Sequence, residues 1–159
     1  MKLPVSTEWL LHCATTLAQL DERSTTSAAQ LARYYDLPPA SLAKQLQALV
    51  RAGVLAATTG PRGGFRLARP ASAISLLDVV EAVDGPASPY ECREIRQRGR
   101  GALPAEDCRD TCLLARKMAE AHDAWRRSLA GTTLADVVGE LPPSAPARTR
   151  RRMSDTAGG

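Results

Sequence analysis

Ser27–Leu55, SAAQLARYYDLPPASLAKQLQALVRAGVL, holds two short helices and the sharp turn between them. Ser27 and Gln30 stand in capping-box spacing at the head of a short apolar run, Leu31 and Ala32, so a helix starts there. Asp36-Leu-Pro-Pro39 stops it near Tyr35, because a residue before proline avoids helical angles. A second helix follows from about Ala40 to Ala52, with Leu42, Leu46, Leu49 and Val50 on one face and Gly53 at a left-handed end. Two short helices joined by a tight turn make a helix-turn-helix.

On the C-terminal side, Val54 to Thr58 and Phe65 to Leu67 read as short strands around Thr59-Gly-Pro-Arg-Gly-Gly64, whose glycines suit a hairpin. That hairpin is a wing. Ser75-Leu-Leu-Asp78 caps a further short helix through Val83, closed by Gly85. On the N-terminal side, Leu10, Leu11, Ala14, Leu17 and Leu20 recur at helical steps, predicting a helix from Thr7 to Leu20 capped by Ser6 or Thr7.

Beyond Pro86 the pattern dissolves into a loop to about Asp107, containing Cys92 and several arginines. A long helix then carries Leu114, Met118, Ala121, Trp125 and Leu129 as an apolar stripe and ends at Gly131. Thr133-Leu-Ala-Asp136 caps a last short helix, and the Pro, Ser, Arg and Gly beyond Pro142 predict disorder. The expected class is mainly α with a small β wing: a winged helix-turn-helix domain over 1–85, a loop over 86–110, a long helix and short C-terminal helix over 111–141, and a disordered basic tail over 142–159.

A chain of 159 residues suits one domain with an added helix for self-association. Its net charge is only +4, and Arg148, Arg150, Arg151 and Arg152 against Asp155 supply three of those charges, so a DNA-binding surface would have to be local. The N-terminus lacks the pattern of a signal peptide and no apolar run could span a bilayer, which predicts a cytoplasmic protein. In that reducing compartment Cys13, Cys92, Cys108 and Cys112 are thiols or metal ligands rather than structural disulfides. Neither a nucleophile-base-orienter set nor a phosphate-cradling glycine motif is present, so no enzyme is expected.

If the second helix of the motif is the recognition helix, Ser41, Lys44 and Gln45 are its candidate DNA contacts. Arg62, between Pro61 and the pair Gly63 and Gly64, places a guanidinium on a loop thin enough for a minor groove. Taken singly, each of these is an ordinary surface residue; their order, helix, turn, helix, then hairpin, is what points to double-stranded DNA.

Glu8 and His12 share one face of the first helix, four residues apart, and Cys108 and Cys112 repeat that spacing before the long helix. Two thiolates, an imidazole and a carboxylate could hold a small cluster or a zinc ion. The plain alternative for Glu8 and His12 is a solvated first turn, with Glu favoured by the helix dipole. Cys13 suits a buried apolar site.

Leu42-Ala-Lys-Gln-Leu46 with Ala52-Gly-Val54, the wing Gly60-Pro-Arg-Gly-Gly-Phe65 and the run Ile74-Ser-Leu-Leu-Asp-Val-Val-Glu-Ala-Val-Asp-Gly85 carry a resemblance to the Rrf2 family of bacterial regulators, over nearly everything up to Leu141. The resemblance implies a homodimer whose long helix crosses to the partner, and a cluster near the preceding loop. It also commonly implies three cysteine ligands about six residues apart. Here Cys92 is followed by a gap of 16 to Cys108 and a step of four to Cys112, which departs from that pattern.

Glu8, Trp9, His12, Cys108 and Cys112 are instead similar to the redox-sensing RsrR branch. That similarity implies a 2Fe-2S cluster held by Glu8 and His12 of one chain and Cys108 and Cys112 of the other, with Cys92 outside the ligand set and Trp9 a redox-responsive switch or a packing residue. Two alternatives stand beside it. One is a nitric-oxide-sensing repressor with a 4Fe-4S cluster on Cys92, Cys108, Cys112 and an acidic residue of the partner; the other is a cluster-free regulator controlled by a partner protein or by thiol oxidation.

Overall fold

The computed structural model of the chain describes residues 2–157. Residues 2–85 and 129–157 make one compact unit, and 86–128 make another. In the first, three helices come together on their apolar faces: α1 (Val5–Leu17), α2 (Ala28–Tyr35) and α3 (Pro39–Arg51). Leu10, Ala14 and Leu17 of α1, Leu31 of α2 and Leu42, Leu46 and Leu49 of α3 are buried in one cluster. Removing such a leucine side chain costs about 2–5 kcal/mol, so this cluster is the unit's main source of stability.

The termini of these helices follow local chemistry. Ser27 Oγ accepts from the Gln30 N–H (3.1 Å) while Gln30 Oε1 accepts from the Ser27 N–H (2.8 Å), the capping box expected at the head of α2. Asp36 closes α2 in left-handed geometry (φ 53°), and Pro39 sits in the first turn of α3, where its missing N–H leaves no bond unmade. α1 differs from expectation. It begins at Val5 after Pro4, without a side-chain cap from Ser6 or Thr7, and Leu17–Leu20 tighten into turns in which Gln19 N–H donates to Thr16 O and Leu20 N–H to Leu17 O.

The wing is the antiparallel pair β1 (Leu55–Thr58) and β2 (Gly64–Leu67), with Leu55 opposite Leu67 and Thr58 opposite Gly64. Thr26 extends it. The Thr26 N–H donates to Phe65 O (2.9 Å) and the Phe65 N–H to Thr26 O (2.8 Å), so the residue entering α2 is bound to the hairpin and Phe65 is drawn into the core.

α4 (Leu76–Asp84) is capped by Ser75 with Asp78 and closed by Gly85 at φ 78°. α5 (Leu113–Ala130) leads to α6 (Leu134–Glu140), whose Thr133 and Asp136 form a third capping box. The heads of α4 and α6 are stitched together: Leu76 N–H donates to Thr132 O and Leu134 N–H to Ile74 O, both at 2.9 Å. α6 therefore belongs to the unit of α1 to α4 and the wing, whereas most of the long helix before it lies in the other unit.

The expected disorder over 142–159 is corrected from Ala145 to Ala157, which form α7; Gly158 and Gly159 lie outside the described residues. Ala145, Thr149 and Met153, at steps of four, give α7 a buried edge, and the helix packs on α2. Thr149 Oγ1 donates to Gln19 Oε1 (2.9 Å) and Arg150 Nη1 to Gln19 O (3.0 Å). Arginines and prolines made the segment read as unstructured, although three residues on one edge are enough to dock it.

In residues 86–128, the expected loop contains single turns of 3-10 helix at Ile95–Gln97, Gly99–Gly101 and Ala105–Cys108 before α5. α5 has no fully buried residue, and its stripe residues Leu114 and Met118 are 67% and 43% exposed, so one chain alone leaves this apolar face open. No described helix is long and apolar enough to cross a membrane.

Candidate functional site

Two groups of residues stand out, one in each unit. The first is the surface made by α3 and the wing. Ser41 and Lys44 are exposed near the head of α3, one turn apart, and Gln45 beside them is half-buried because it borders the face that carries Leu42 and Leu46. Arg62 is exposed at the hairpin tip, whose backbone is fixed: Thr25 Oγ1 donates to Arg62 O (2.9 Å) and Gly63 N–H to Gly60 O (2.9 Å). A Cβ at Gly63 would lie 2.2 Å from Thr58 O, and one at Gly64 2.7 Å from the Thr26 backbone, so both glycines are required by close backbone approach.

The second group lies ahead of α5. Cys112 is buried immediately before the helix, where its thiol meets free backbone N–H groups. The Ala115 N–H, chiefly, holds the Cys112 thiol below the usual thiol range, with help from the Leu114 N–H, the Cys92 side chain and the charge of Arg96, while desolvation opposes them. Cys92 is thus brought to Cys112 across twenty residues of chain. Cys108 is half-buried, and both it and Cys112 lie within electrostatic reach of Arg96.

Arg96 is the residue that sequence reasoning missed. Its guanidinium forks onto Glu94, with Nη2 to Oε2 at 2.8 Å, and Nη2 also donates to Asp110 O (3.1 Å). The hydrogen bond from Arg96 holds the Glu94 carboxyl below the usual carboxylate range. Nothing in the spacing distinguished Arg96 from its arginine neighbours. Only the closure of the loop on Asp110 shows that it supports the thiols.

Glu8 and His12 are both exposed, one turn apart on α1, and with Leu3, Pro4, Val5 and Leu11 they line a shallow cleft of about 370 Å³. Trp9 is half-buried against the core cluster. The Tyr35 hydroxyl donates to His12 O (3.2 Å) and bonds Thr16 Oγ1 (2.6 Å), anchoring this part of α1 to α2. Glu8 and His12 belong to one unit and Cys92, Cys108 and Cys112 to the other. Among the described residues, no three His, Cys, Asp or Glu side chains of the single chain form a ready metal site.

Cys13 stands apart, fully buried, and burial pushes its thiol up to about 12. It is a small apolar filler packed in the same cluster as Leu10 and Leu17, as expected of a free cysteine.

Comparison with known proteins agrees with this architecture. The Rrf2 family, iron-dependent transcriptional regulators, matches residues 3–140. YwgB of Bacillus subtilis strain 168, named as an HTH-type transcriptional regulator, is 30% identical over 145 residues, which is 89% of this chain and 88% of YwgB. CymR, the global cysteine regulator of B. subtilis, superposes with a TM-score of 0.70 at 24% identity over 89% of this chain and 99% of its own. IscR of T. potens superposes at 0.67 with 18% identity over 91% and 90%. The last two show a shared fold. With the winged helix-turn-helix, the matched span and the YwgB identity together, the chain belongs to the Rrf2 family of transcriptional regulators.

Proposed function

We propose that this protein is a homodimeric DNA-binding regulator that senses redox state through a 2Fe-2S cluster shared between subunits, in the manner of the RsrR branch. Glu8 and His12 of one chain and Cys108 and Cys112 of its partner would hold it. The observation that carries this reading is the state of Cys112: a thiol at a helix head, with donors aimed at its sulfur and the charge of Arg96 nearby, is prepared to be a thiolate ligand. Glu8 and His12 fit the other half, since both are exposed on the same turn and offer one oxygen and one nitrogen donor.

Bound there, the cluster would supply a one-electron couple, with a potential raised because only two of its four ligands are thiolates. The chain's own residues do the rest. Arg96 and the α5 amides favour negative charge at Cys112, α1 carries Glu8 and His12 on a helix packed against α3 and α4, and Ser41, Lys44, Gln45 and Arg62 meet the duplex. The dimer is supported by the open apolar stripe of α5, which a second copy would cover.

The contact of Cys92 with Cys112 favours a second reading, a 4Fe-4S nitric-oxide sensor in which Cys92, Cys108 and Cys112 are all ligands. Iron and sulfide analysis with visible spectra, on protein purified without oxygen, separates the two. The first reading expects about two iron and two sulfide per site in both wild type and Cys92→Ala, with reversible bleaching by dithionite. About four iron, or loss of the cluster with Cys92, establishes the second instead.

A further inference from the structure

α7 lies beyond residue 140, where the family match ends, yet it is docked on the DNA-binding unit. Its buried edge, Ala145, Thr149 and Met153, leaves Arg151 on the opposite surface and Arg148 and Arg152 along one flank, all exposed, with Asp155 the one acidic residue of the helix. Arg150 is already engaged with Gln19 O.

Where the helix is docked gives this charge its meaning. α7 packs on α2, and its residues Arg150, Met153 and Ser154 face Asp21, Ser24, Thr25, Thr26 and Gln30 across a narrow cleft. That same segment is bound to the wing, through Thr25 to Arg62 O and through Thr26 to Phe65, and leads directly into the Ser27-capped head of α2. Wing and α7 are thus fastened to one short stretch of chain, each bringing exposed arginines. α7 is held there by the Thr149–Gln19 bond, which is buried, so its position is built into the fold and not left to a mobile tail.

We infer that α7 is an accessory phosphate-binding element, in which Arg148, Arg151 and Arg152 contact the backbone of the duplex flanking the bases reached by α3 and the wing. The inference rests on the DNA-binding reading above. Phosphate contacts carry no sequence information, so the element adds affinity and register on any duplex. Each phosphate neutralised contributes about 0.9 to the slope of log affinity against log salt concentration.

The test is binding of the full-length protein to a mixed-sequence duplex of about 30 base pairs at a series of salt concentrations. Wild type is compared with the triple variant Arg148→Gln, Arg151→Gln, Arg152→Gln and with the corresponding triple Lys variant; circular dichroism establishes that α7 is still helical. The expected result is a slope lower by about two to three in the Gln variant, affinity down at least about tenfold at 0.1 M salt, and recovery in the Lys variant. An unchanged slope in a folded Gln variant overturns the inference and leaves the DNA-binding reading standing. A wild type that binds no duplex overturns both.

Discussion

Cys13 and Cys112 are the same thiol in opposite surroundings. Cys13 lies among leucines with no partner charge, and desolvation raises it to about 12, whereas Cys112 meets helix amides and Arg96 and is lowered. Because the folded Cys13 keeps its proton above the ordinary value of 9.0, the folded state binds more protons than the unfolded one between pH 9 and 12. Its contribution to stability is therefore whole below pH 9 and is lost as pH rises through 12. Urea unfolding of wild type and Cys13→Ala over pH 8 to 11 should show wild type losing stability more steeply, by a difference approaching about 1.4 kcal/mol per pH unit. Parallel curves would mean that Cys13 is not desolvated. The burial of Cys13 was legible in the sequence, since a free cysteine on an apolar helix behaves as a small buried hydrophobe. The role of Arg96 was not, because it depends on a loop folding back over a dozen residues to Asp110.

The secondary elements were readable wherever a side chain signs a terminus. Ser27 with Gln30, Ser75 with Asp78 and Thr133 with Asp136 each form the capping box their spacing implied, and α2, α4 and α6 begin where those residues stand. α1 has no such mark, and its start was misplaced by two residues. α7 was missed for a different reason: its helix is fixed by one buried edge against α2, and composition hides an edge of three residues. The wing was legible from its glycines, and the structure adds why they are needed. Gly63→Ala puts a methyl 2.2 Å from a backbone oxygen of the same hairpin, so the tip must open. We expect that variant to lose about 1–3 kcal/mol of stability and to bind duplex DNA at least about tenfold more weakly, while far-UV circular dichroism keeps the helical signal of α1 to α4. Wild-type affinity in Gly63→Ala would mean that Arg62 does not reach the duplex.

At the scale of the molecule, the chain divides its labour between two units. One presents α3, the wing and Glu8 with His12; the other presents Cys92, Cys108, Cys112 and the open stripe of α5. The fold class was legible from order alone, because helix, turn, helix and glycine hairpin admit few architectures. Spacing alone left the ligand set open between Cys108 with Cys112 and a trio that adds Cys92, because it does not say which thiols a loop brings together; the structure puts Cys92 within interacting reach of Cys112. What joins the two units in function is the proposed coupling of electron transfer to DNA affinity, which requires the two redox states to hold the recognition helices differently. The most direct test is to select a preferred duplex from a random pool with the oxidised protein, then measure its affinity for that duplex before and after one-electron reduction under nitrogen. A drop of at least about tenfold on reduction, reversed on reoxidation, is the result expected here; equal affinity in the two states would contradict the redox switch.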